Sequence, residues 1–285
     1  MLVTTREVAA LLRVHPKHVY RLLKRGLPAD RVGDAWRFDD GEVLAWARAS
    51  GTLRKASPVV ASRDREPLLA ANGDIAIEAL FDELKARRAP LVGRVQADHA
   101  EGMALLDRRA VLLAGCHGDR APQLAAQGRL AHVRLATREL GLAFRRGRRV
   151  TRASIVVGKR LASRPTTAGI RARFDAVLAH DGVDSGAAHA GATLYASHRD
   201  ATAAVVRGDA EFALASRAWA AFVGLGFFSF ATEGYGLALA ADDLGDPRVV
   251  AICEAAQRGA FRRRLAETPG YDARATGRLT SSIAR

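Results

Sequence analysis

Polar side chains that could hold a small anion recur where apolar segments end and helical segments begin. Such loops offer unpaired backbone N–H groups and the positive end of a helix dipole, and both favour an anion. Arg94, Arg164 and Arg199 lie beside these loops, and guanidinium groups bind oxyanions through paired hydrogen bonds. The candidate ligand-binding residues are Asn72, Gly73, Arg94, Cys116, His117, Ser163, Arg164, Thr166, Thr167, Ser197, His198, Arg199 and Ser216.

The same loops carry no recognisable catalytic or metal-binding pattern. Cys116 and His117 are adjacent, but no second cysteine or paired carboxylate lies nearby in the sequence. The 8 histidines lack metal-ligand spacing, and 2 cysteines cannot build a zinc site. The glycine patterns of nucleotide-binding loops are also missing. We therefore expect no catalytic residue, no metal site and no resident cofactor, which argues against an enzyme.

Alternating apolar and amphipathic segments must position these loops. From residue 67 onward, short apolar runs predict strands, among them 67–71, 130–136 and 140–144, and helical periodicity predicts helices such as 75–86 and 246–267. Repeated strand–helix units indicate an α/β fold with a mostly parallel sheet and ligand contacts at the strand ends. The units are too many for one small sheet, so we expect two lobes.

The first fifty residues predict a different domain. Thr4 or Thr5 caps a first helix, Pro16 begins a second, and Gly26 ends it. A short extended pair around Gly33 and Asp34 follows, and a third helix begins at Asp39 or Asp40. Two short helices joined by a tight turn form a helix-turn-helix unit. The second helix has a basic polar face made of Lys17, His18, Tyr20, Arg21, Lys24 and Arg25.

The charge balance favours a polyanionic partner. The net charge is +14, from 44 basic and 30 acidic residues, and residues 1–55 hold 11 basic against 6 acidic side chains. However, 39 of the basic residues are arginine, and an arginine-rich genome composition would give the same excess. The basic run at 145–152 fits a solvated loop better than a nucleic-acid site.

The sequence gives no indication of a secreted or membrane-spanning protein. The N-terminus carries Arg6 and Glu7 without an apolar signal segment, and the longest uncharged stretch, 218–232, is shorter than the ~18 residues of a membrane span. We expect a cytoplasmic protein with reduced cysteines. The domain prediction is a DNA-binding domain at 1–50, a linker at 51–66 and a ligand-binding domain at 67–285.

The N-terminal segment resembles the excisionase-type, MerR-like winged helix-turn-helix family. The matching residues are Thr5, Glu7, Ala9, Leu12, Val14, Val19, Tyr20, Gly26, Leu27, Pro28, Val32, Gly33, Trp36, Arg37 and Phe38. The resemblance implies that the second helix enters a DNA major groove and that the wing residues Arg31 and Arg37 contact the flanking backbone. Trp36 and Phe38 are expected in the core under the wing.

A helix-turn-helix protein usually acts as a dimer on a two-fold site. We therefore expect a homodimer on an operator. A small protein-interaction domain with a solvated basic face is the alternative.

Five strings in order carry a second resemblance: AGCH at 114–117, KRLASRPTTAGIR at 159–171, SHRDATAAVVRGDAEFALA at 197–215, EGYGLALA at 233–240 and PGYDARATG at 269–277. They resemble the cytoplasmic, type II periplasmic-binding-protein-like domain of bacterial regulators and molybdenum-cofactor proteins, which is related to molybdate-binding proteins. The resemblance implies two lobes around a cleft, one from about 67–140 with the C-terminal helices and one from about 145–230. It also adds Tyr235 to the candidate ligand-binding residues.

The sequence departs from that family at two places. The family's Gly-Ser-Gly-Thr-Arg run is replaced here by residues 167–171, so that Ala168 and Ile170 stand where hydroxyls are usual. The family's Tyr-Asp pair is Tyr235 and Gly236. A small anion is therefore a firmer expectation than molybdate.

Together these features predict a ligand-responsive transcription regulator. Its expected effector is a small anion, with molybdate or tungstate first and a small carboxylate second, and its expected partner is operator DNA. The alternative is a molybdenum-cofactor-related enzyme or binding protein that carries a DNA-binding module. A transporter's solute-binding protein is disfavoured by the predicted DNA-binding domain.

Overall fold

The computed structural model describes residues 2–12, 14–33, 35–50, 66–118 and 130–281. Its contacts divide the chain into two units, the first comprising Met1–Asp64 with Asp242–Pro247 and the second Arg65–Ala241 with Arg248–Arg285. The predicted linker at 51–66 lies outside the described residues except for Glu66, and so does Asp34 of the predicted turn. Within the described residues, no helix is long and apolar enough to cross a membrane.

The first unit is a winged helix-turn-helix. Its elements are β1 (Leu2–Thr4), α1 (Thr5–Leu11), α2 (Pro16–Leu23), β2 (Asp30–Val32), β3 (Ala35–Asp39) and α3 (Asp40–Ala49). The predicted extended pair is the antiparallel hairpin of β2 and β3. Strand β1, which the sequence reasoning missed, pairs with the other edge of β3, so the sheet order is β1-β3-β2.

Local side-chain chemistry sets the helix starts. The Thr4 hydroxyl accepts from the Glu7 N–H at 3.3 Å, and the Glu7 carboxylate accepts from the Thr4 N–H at 2.7 Å, which is a capping box. Before α2, His15 Nδ1 accepts from the Lys17 N–H at 3.1 Å, and Pro16 occupies the first helical position. These contacts confirm the predicted two-helix unit.

The hydrophobic core of the first unit lies between the helices and the hairpin. Val8, Val19, Leu22 and Phe38 are fully buried, and Trp36 packs against them at the edge. Phe38 therefore lies in the core under the wing, as predicted. This packing leaves the opposite face of α2 exposed.

In its described residues, the second unit is built on one ten-stranded sheet. Its elements are β4 (Leu68–Ala71), α4 (Ile75–Ala86), β5 (Gly93–Gln96), α5 (His99–Asp107), β6 (Leu113–His117), β7 (Leu130–Phe144), β8 (Leu161–Ser163), α6 (Gly169–His180), α7 (Ser185–His189), β9 (Thr193–Leu194), α8 (His198–Arg207), β10 (Phe212–Ser216), α9 (Arg217–Phe222), β11 (Gly226–Ala240), α10 (Pro247–Gln257), α11 (Gly259–Ala266), β12 (Tyr271–Asp272) and β13 (Leu279–Ser281). The strand order is β5-β4-β6-β11-β7-β10-β8-β9, and β12 and β13 also pair with β7.

Two long antiparallel strands, β7 and β11, run through the middle of this sheet. Each has 15 residues, and Arg138 faces Glu233 near the centre of their register. The segments 130–136 and 140–144 are thus one strand, not two, because Arg138 finds a charged partner and the backbone ladder continues past it. The sheet is mixed, which corrects the expectation of a mostly parallel one.

The two halves of β7 and β11 belong to different lobes. In lobe 1, β4 pairs in parallel with β5 and β6, and β6 joins the second half of β11. In lobe 2, β8 pairs in parallel with β9 and β10, and β10 joins the second half of β7. The predicted two-lobed domain is confirmed. The predicted closing helix is two helices, α10 and α11, with Arg258 as the N-cap of the second.

Because the second unit has its own buried core, we expect it to fold without the helix-turn-helix. A fragment that starts near Ser62 and continues to residue 285 should unfold in one cooperative transition in calorimetry. A fragment that aggregates, or that lacks a transition, would contradict the proposed domain boundary.

Candidate functional site

A buried ion pair lies where the two long strands pass from one lobe to the other. Arg138 Nη2 donates to Glu233 Oε1 at 2.7 Å, and Arg138 Nε donates to the same oxygen at 3.1 Å. Both side chains are almost fully buried, at 0% and 1% exposed. Charges at this depth require partners, since an unpaired buried charge is very costly. The pair therefore joins β7 to β11 at the boundary between the lobes.

Asp74 holds the other side of the Arg138 guanidinium. It follows β4, and its Oδ1 caps α4 by accepting from the Ala76 N–H at 2.9 Å. Its two oxygens also accept from Arg138 Nη1 and from the Tyr271 hydroxyl. Burial, reinforced by the charge of Asp74, raises the pKa of Tyr271 well above its usual value, so the phenol keeps its proton and donates it.

Glu233 contacts nitrogen groups from both lobes. His117 Nδ1, at the end of β6 in lobe 1, lies 2.7 Å from Glu233 Oε1. Arg173 Nε, on α6 in lobe 2, donates to Glu233 Oε2 at 2.8 Å. Burial opposes ionisation, but the charges of Arg138 and His117 outweigh it and lower the pKa of Glu233. The carboxylate is therefore ionised and links the two lobes.

A second buried ion pair bridges the lobes directly. Arg164, just after β8 in lobe 2, donates from Nη2 to Oδ1 of Asp98, just before α5 in lobe 1, at 2.5 Å. The two side chains are 0% and 5% exposed. Burial raises the pKa of Asp98, although the charge of Arg164 opposes this shift. Asp98 therefore accepts from one nitrogen of Arg164, and the guanidinium has further N–H donors.

Two more hydrogen bonds close the lobes against each other. The Trp219 indole Nε1, in lobe 2, donates to the Gly73 carbonyl of lobe 1 at 3.1 Å. Gln96 Nε2, in lobe 1, donates to the Ala196 carbonyl of lobe 2 at 2.8 Å. The cleft is thus closed in this structure, with its polar side chains packed together.

Unused hydrogen-bonding groups remain inside the closed cleft. Among the described residues, Arg164 Nε and Nη1 and His198 Nδ1 are buried without a hydrogen-bond partner. Burial, followed by the charges of Arg164 and Arg138, lowers the pKa of His198 well below its usual value, so the ring is neutral at pH 7. A buried polar group without a partner costs ~1–3 kcal/mol. The two Arg164 nitrogens, which can only donate, therefore mark a place for an acceptor.

Several predicted ligand-binding residues do meet in this cleft. Tyr235 donates from its hydroxyl to Asn72 Oδ1 at 3.2 Å, and the Arg138 guanidinium lies 4.1 Å above its ring. Ser163 is fully buried, with its hydroxyl 3.2 Å from His189 Nδ1. The predicted residues gathered around the cleft are Asn72, Gly73, His117, Ser163, Arg164, His198 and Tyr235.

Other predicted residues have structural roles instead. The hydroxyls of Ser197 and Ser216 cap α8 and α9, where they accept backbone N–H groups. Cys116 lies in the apolar core of lobe 1, and burial raises the pKa of its thiol to about 12, so it is inert. The described residues contain no cluster of His, Cys, Asp and Glu side chains suited to a metal ion.

The predicted convergence of three arginines is not observed. Arg94 pairs with the Glu78 carboxylate of α4 at a partly exposed position. Arg199 is exposed, as are the hydroxyl residues Thr166 and Thr167. Of the three arginines, only Arg164 lies buried in the cleft. It is paired there with Asp98 of the opposite lobe.

Sequence reasoning missed three of the charged residues that organise the cleft: Asp98, Arg138 and Glu233. A signal for two of them exists, since Arg138 and Glu233 interrupt long apolar strand segments. Charged residues in the middle of a buried strand are rare unless they are paired. Which residue pairs with which is decided by the fold.

The predicted DNA-binding residues form one accessible surface of the first unit. Lys17, Tyr20, Arg21, Lys24 and Arg25 are exposed on α2 and just after it, and Arg31 is exposed on β2. His18 and Arg37 are half-buried. Burial, and then the charges of Arg21 and Arg25, lower the pKa of His18, so its ring is neutral at pH 7. The accessible residues are therefore a basic face of α2 and two arginines of the hairpin.

Comparisons with known proteins agree with this architecture. Residues 82–257 match the family model described as a PBP superfamily domain, and residues 2–51 match a helix-turn-helix domain. No curated protein sequence matches the chain.

Solved structures are similar to the second unit. One, described as a phosphate ABC transporter substrate-binding protein with bound phosphate from Clostridium perfringens, has a TM-score of 0.55 at 11% identity, covering 72% of this chain and 98% of that one. The regulatory domain of MetR, a LysR family regulator from N. meningitidis, has a TM-score of 0.50 at 12% identity, covering 72% of this chain and 96% of that one. At these identities the likeness shows the fold.

Removal of the Glu233 charge should lower the free energy of unfolding of the second unit. We expect Glu233→Gln to cost about 3 kcal/mol of unfolding free energy near neutral pH, because it leaves the buried Arg138 charge undercompensated. The partly exposed Glu78→Gln variant, which breaks the pair with Arg94, should cost under about 1 kcal/mol. Urea unfolding of both variants measures the difference.

The destabilisation caused by Glu233→Gln should depend on pH. Since the folded pKa of Glu233 is lowered, its stabilisation is fully present above the unfolded pKa of about 4.3 and is lost as the pH falls below that value. The gap in unfolding free energy between wild type and Glu233→Gln should therefore shrink below about pH 4. A gap that is constant with pH would contradict an ionised Glu233.

Proposed function

This chain belongs to the PBP superfamily and carries an N-terminal helix-turn-helix domain, and on that premise we propose a DNA-binding regulator that responds to a small anion in the cleft between its lobes. A DNA-binding domain joined to a ligand-binding domain is the composition of a ligand-responsive regulator. The observation that carries the anion is Arg164, a buried guanidinium with two donor nitrogens that have no acceptor among the described residues.

An anion at Arg164 would supply the missing acceptors. A carboxylate or oxyanion has several lone pairs, and its hydrogen bonds to an arginine are charge-assisted and stronger than neutral ones. His198 Nδ1, which is buried without a partner and is influenced by the charge of Arg164, offers a further contact. A neutral ligand would gain less from a buried cation.

The charge balance of the cleft favours a monoanion over a dianion. Its guanidinium groups, those of Arg138, Arg164 and Arg173, are matched by its carboxylates, those of Asp74, Asp98 and Glu233. A monoanion adds one negative charge to this balanced set, and a dianion such as molybdate or tungstate adds two. Extra charge in a buried site is costly. We therefore place a small carboxylate ahead of the metal oxyanions.

Asp98 already acts as an internal competitor for the anion. Its carboxylate occupies one donor of Arg164, and burial raises its pKa. An incoming carboxylate that takes over Arg164 would displace Asp98, which can then bind a proton. Ligand binding would thereby exchange one carboxylate for another at the bridge between the lobes.

The fold supports this proposal without identifying the ligand. The C. perfringens relative in fold holds phosphate, and the N. meningitidis relative in fold is the regulatory domain of a transcription regulator. In the present chain, the exposed basic face of α2 would enter a major groove, with Arg31 and Arg37 on the flanking backbone. We place the regulator in the cytoplasm as a homodimer on two half-sites.

The anion should be detectable as thermal stabilisation of the full-length protein. A ligand that binds only the folded state adds ~2.7 kcal/mol at a hundredfold excess over its Kd. We expect small carboxylates to raise Tm more than molybdate, tungstate or phosphate. Arg164→Gln should abolish the shift, and the exposed control Arg199→Gln should keep it.

The proposed competition between Asp98 and the anion can be tested in the same thermal-shift assay. Asp98→Asn keeps an oxygen at the bridge but removes the competing charge, so anion affinity should rise by roughly tenfold, or about 1.4 kcal/mol. A shift that survives in Arg164→Gln, or stabilisation by neutral metabolites alone, would contradict an anion at this arginine.

The DNA-binding surface predicts a separate result. Arg21→Ala and Lys24→Ala should each weaken binding to a duplex of roughly 30 base pairs and lower the slope of log K against log salt by about 0.9 for each phosphate that the variant no longer neutralises. The matched controls Arg262→Ala and Lys85→Ala, both exposed in the second unit, should leave the slope unchanged. Fluorescence anisotropy at several salt concentrations measures the slopes. Unchanged binding in both α2 variants would contradict the assignment.

A further inference from the structure

We propose that lobe 2 carries a second DNA-contacting surface, a groove that binds the sugar-phosphate backbone of duplex DNA. This inference goes beyond the helix-turn-helix but assumes, like the proposed function, that DNA is the partner. The surface, here called the arginine groove, is an open concavity of about 520 Å³ lined by Arg145, Arg146, Arg148, Arg160 and Glu211. It lies where the loop after β7 meets the end of α8.

Two of these arginines are held in place by the end of α8. Arg145 Nη2 donates to the Val206 carbonyl at 3.0 Å, and Arg160 Nη2 donates to the Gly208 carbonyl at 3.4 Å. Carbonyls at a helix C-terminus favour cations. A guanidinium has five N–H donors, so each arginine is anchored by one nitrogen and keeps others for a partner.

A third arginine is positioned by an aromatic ring and a carboxylate. The Arg148 guanidinium lies 4.8 Å from the centroid of the Phe212 ring, and its Nη2 donates to Glu211 Oε1 at 3.2 Å. Glu211 is half-buried and supplies the negative charge of the lining. The groove is therefore preorganised and keeps an excess of positive charge.

The surrounding sequence extends this excess. The run at 145–152 contains five arginines and no acidic residue, and Lys159 and Arg160 follow shortly before β8. All seven cationic side chains are exposed. Within the described part of the chain, Arg146, Arg149 and Arg152 form no ion pair. Clustered like charges of this kind suit a polyanion.

The groove differs from a surface of lobe 1 where exposed arginines are paired. On another face of the same domain, Arg258 lies 3.2 Å from Glu83, and Arg264 lies 2.7 Å from Asp82. These two arginines are matched with carboxylates, whereas, among the described residues, Arg146, Arg149 and Arg152 of the basic run are not. This proposal differs from the expectation that 145–152 is a solvated loop.

The openness of the groove favours a polymer over a small anion. Small anions bind tightly where burial strengthens the field around them, as at Arg164, whereas every cation of the groove is exposed to water. Duplex DNA gains affinity at exposed cations because each phosphate contact releases condensed counterions. Such contacts are independent of sequence and position a protein along the duplex.

The test compares two double variants of the full-length protein. Arg146→Gln with Arg149→Gln removes two exposed, unanchored cations from the groove and its loop. Arg262→Gln with Arg263→Gln removes the same charge from α11. With a random-sequence duplex of roughly 30 base pairs, the first variant should lower the salt slope by about 2, since each phosphate contact contributes ~0.9, and the control should not. Both should keep the wild-type Tm.

The outcomes separate this inference from the proposed function. If Arg21→Ala with Lys24→Ala keeps the wild-type slope while the groove variant lowers it, the helix-turn-helix assignment fails and the groove stands. Equal slopes for the groove variant and its control would overturn the groove and leave α2 untouched. Thermal stabilisation by inorganic pyrophosphate that only the groove variant abolishes, without any change in DNA slope, would overturn it in favour of a small-anion site.

Discussion

The buried pair of Arg138 and Glu233 is the interaction on which the second domain depends. Two charges at this depth are stable only if every hydrogen-bonding group finds a partner, and the structure supplies Asp74, His117 and Arg173 for that purpose. Because these partners come from both lobes, satisfying the pair also sets how the lobes meet. The long strands β7 and β11 can continue through the boundary only because their charged residues face each other in register.

Arg164 shows the opposite arrangement, and this contrast is why we propose the ligand site there. Arg138 directs its donors to two carboxylates, whereas Arg164 has one carboxylate and two nitrogens left over. A protein that needed the pair of Arg164 and Asp98 only for stability would lose little by replacing both partners with apolar side chains. An incompletely satisfied cation inside a closed cleft is instead suited to a ligand that completes it, at a bridge that both lobes share.

The chain has a net charge of +14, but the unpaired positive charge is concentrated on particular surfaces. Inside the cleft the guanidinium groups and carboxylates balance, and on α4 and α11 exposed arginines pair with acidic residues. The excess is accessible on α2 and along the groove of lobe 2. Exposed cations interact weakly with single ions in water but strongly with a polymer of phosphates. On our proposals, the same residue type serves two kinds of anion, and burial separates them.

The sequence by itself determined the local structure. The capping box at Thr4, the proline start of α2 and the helix at 75–86 depend on neighbours within about four positions, so they could be predicted and were found. The tertiary structure decided which polar residues form the cleft. Arg138 meets Glu233 across 95 positions and Arg164 meets Asp98 across 66, and no local pattern encodes such partners. Arg94, Arg164 and Arg199 therefore looked alike in sequence, and only burial between two lobes distinguishes Arg164, because a charge loses its water there and must find its partners in the protein or in a ligand.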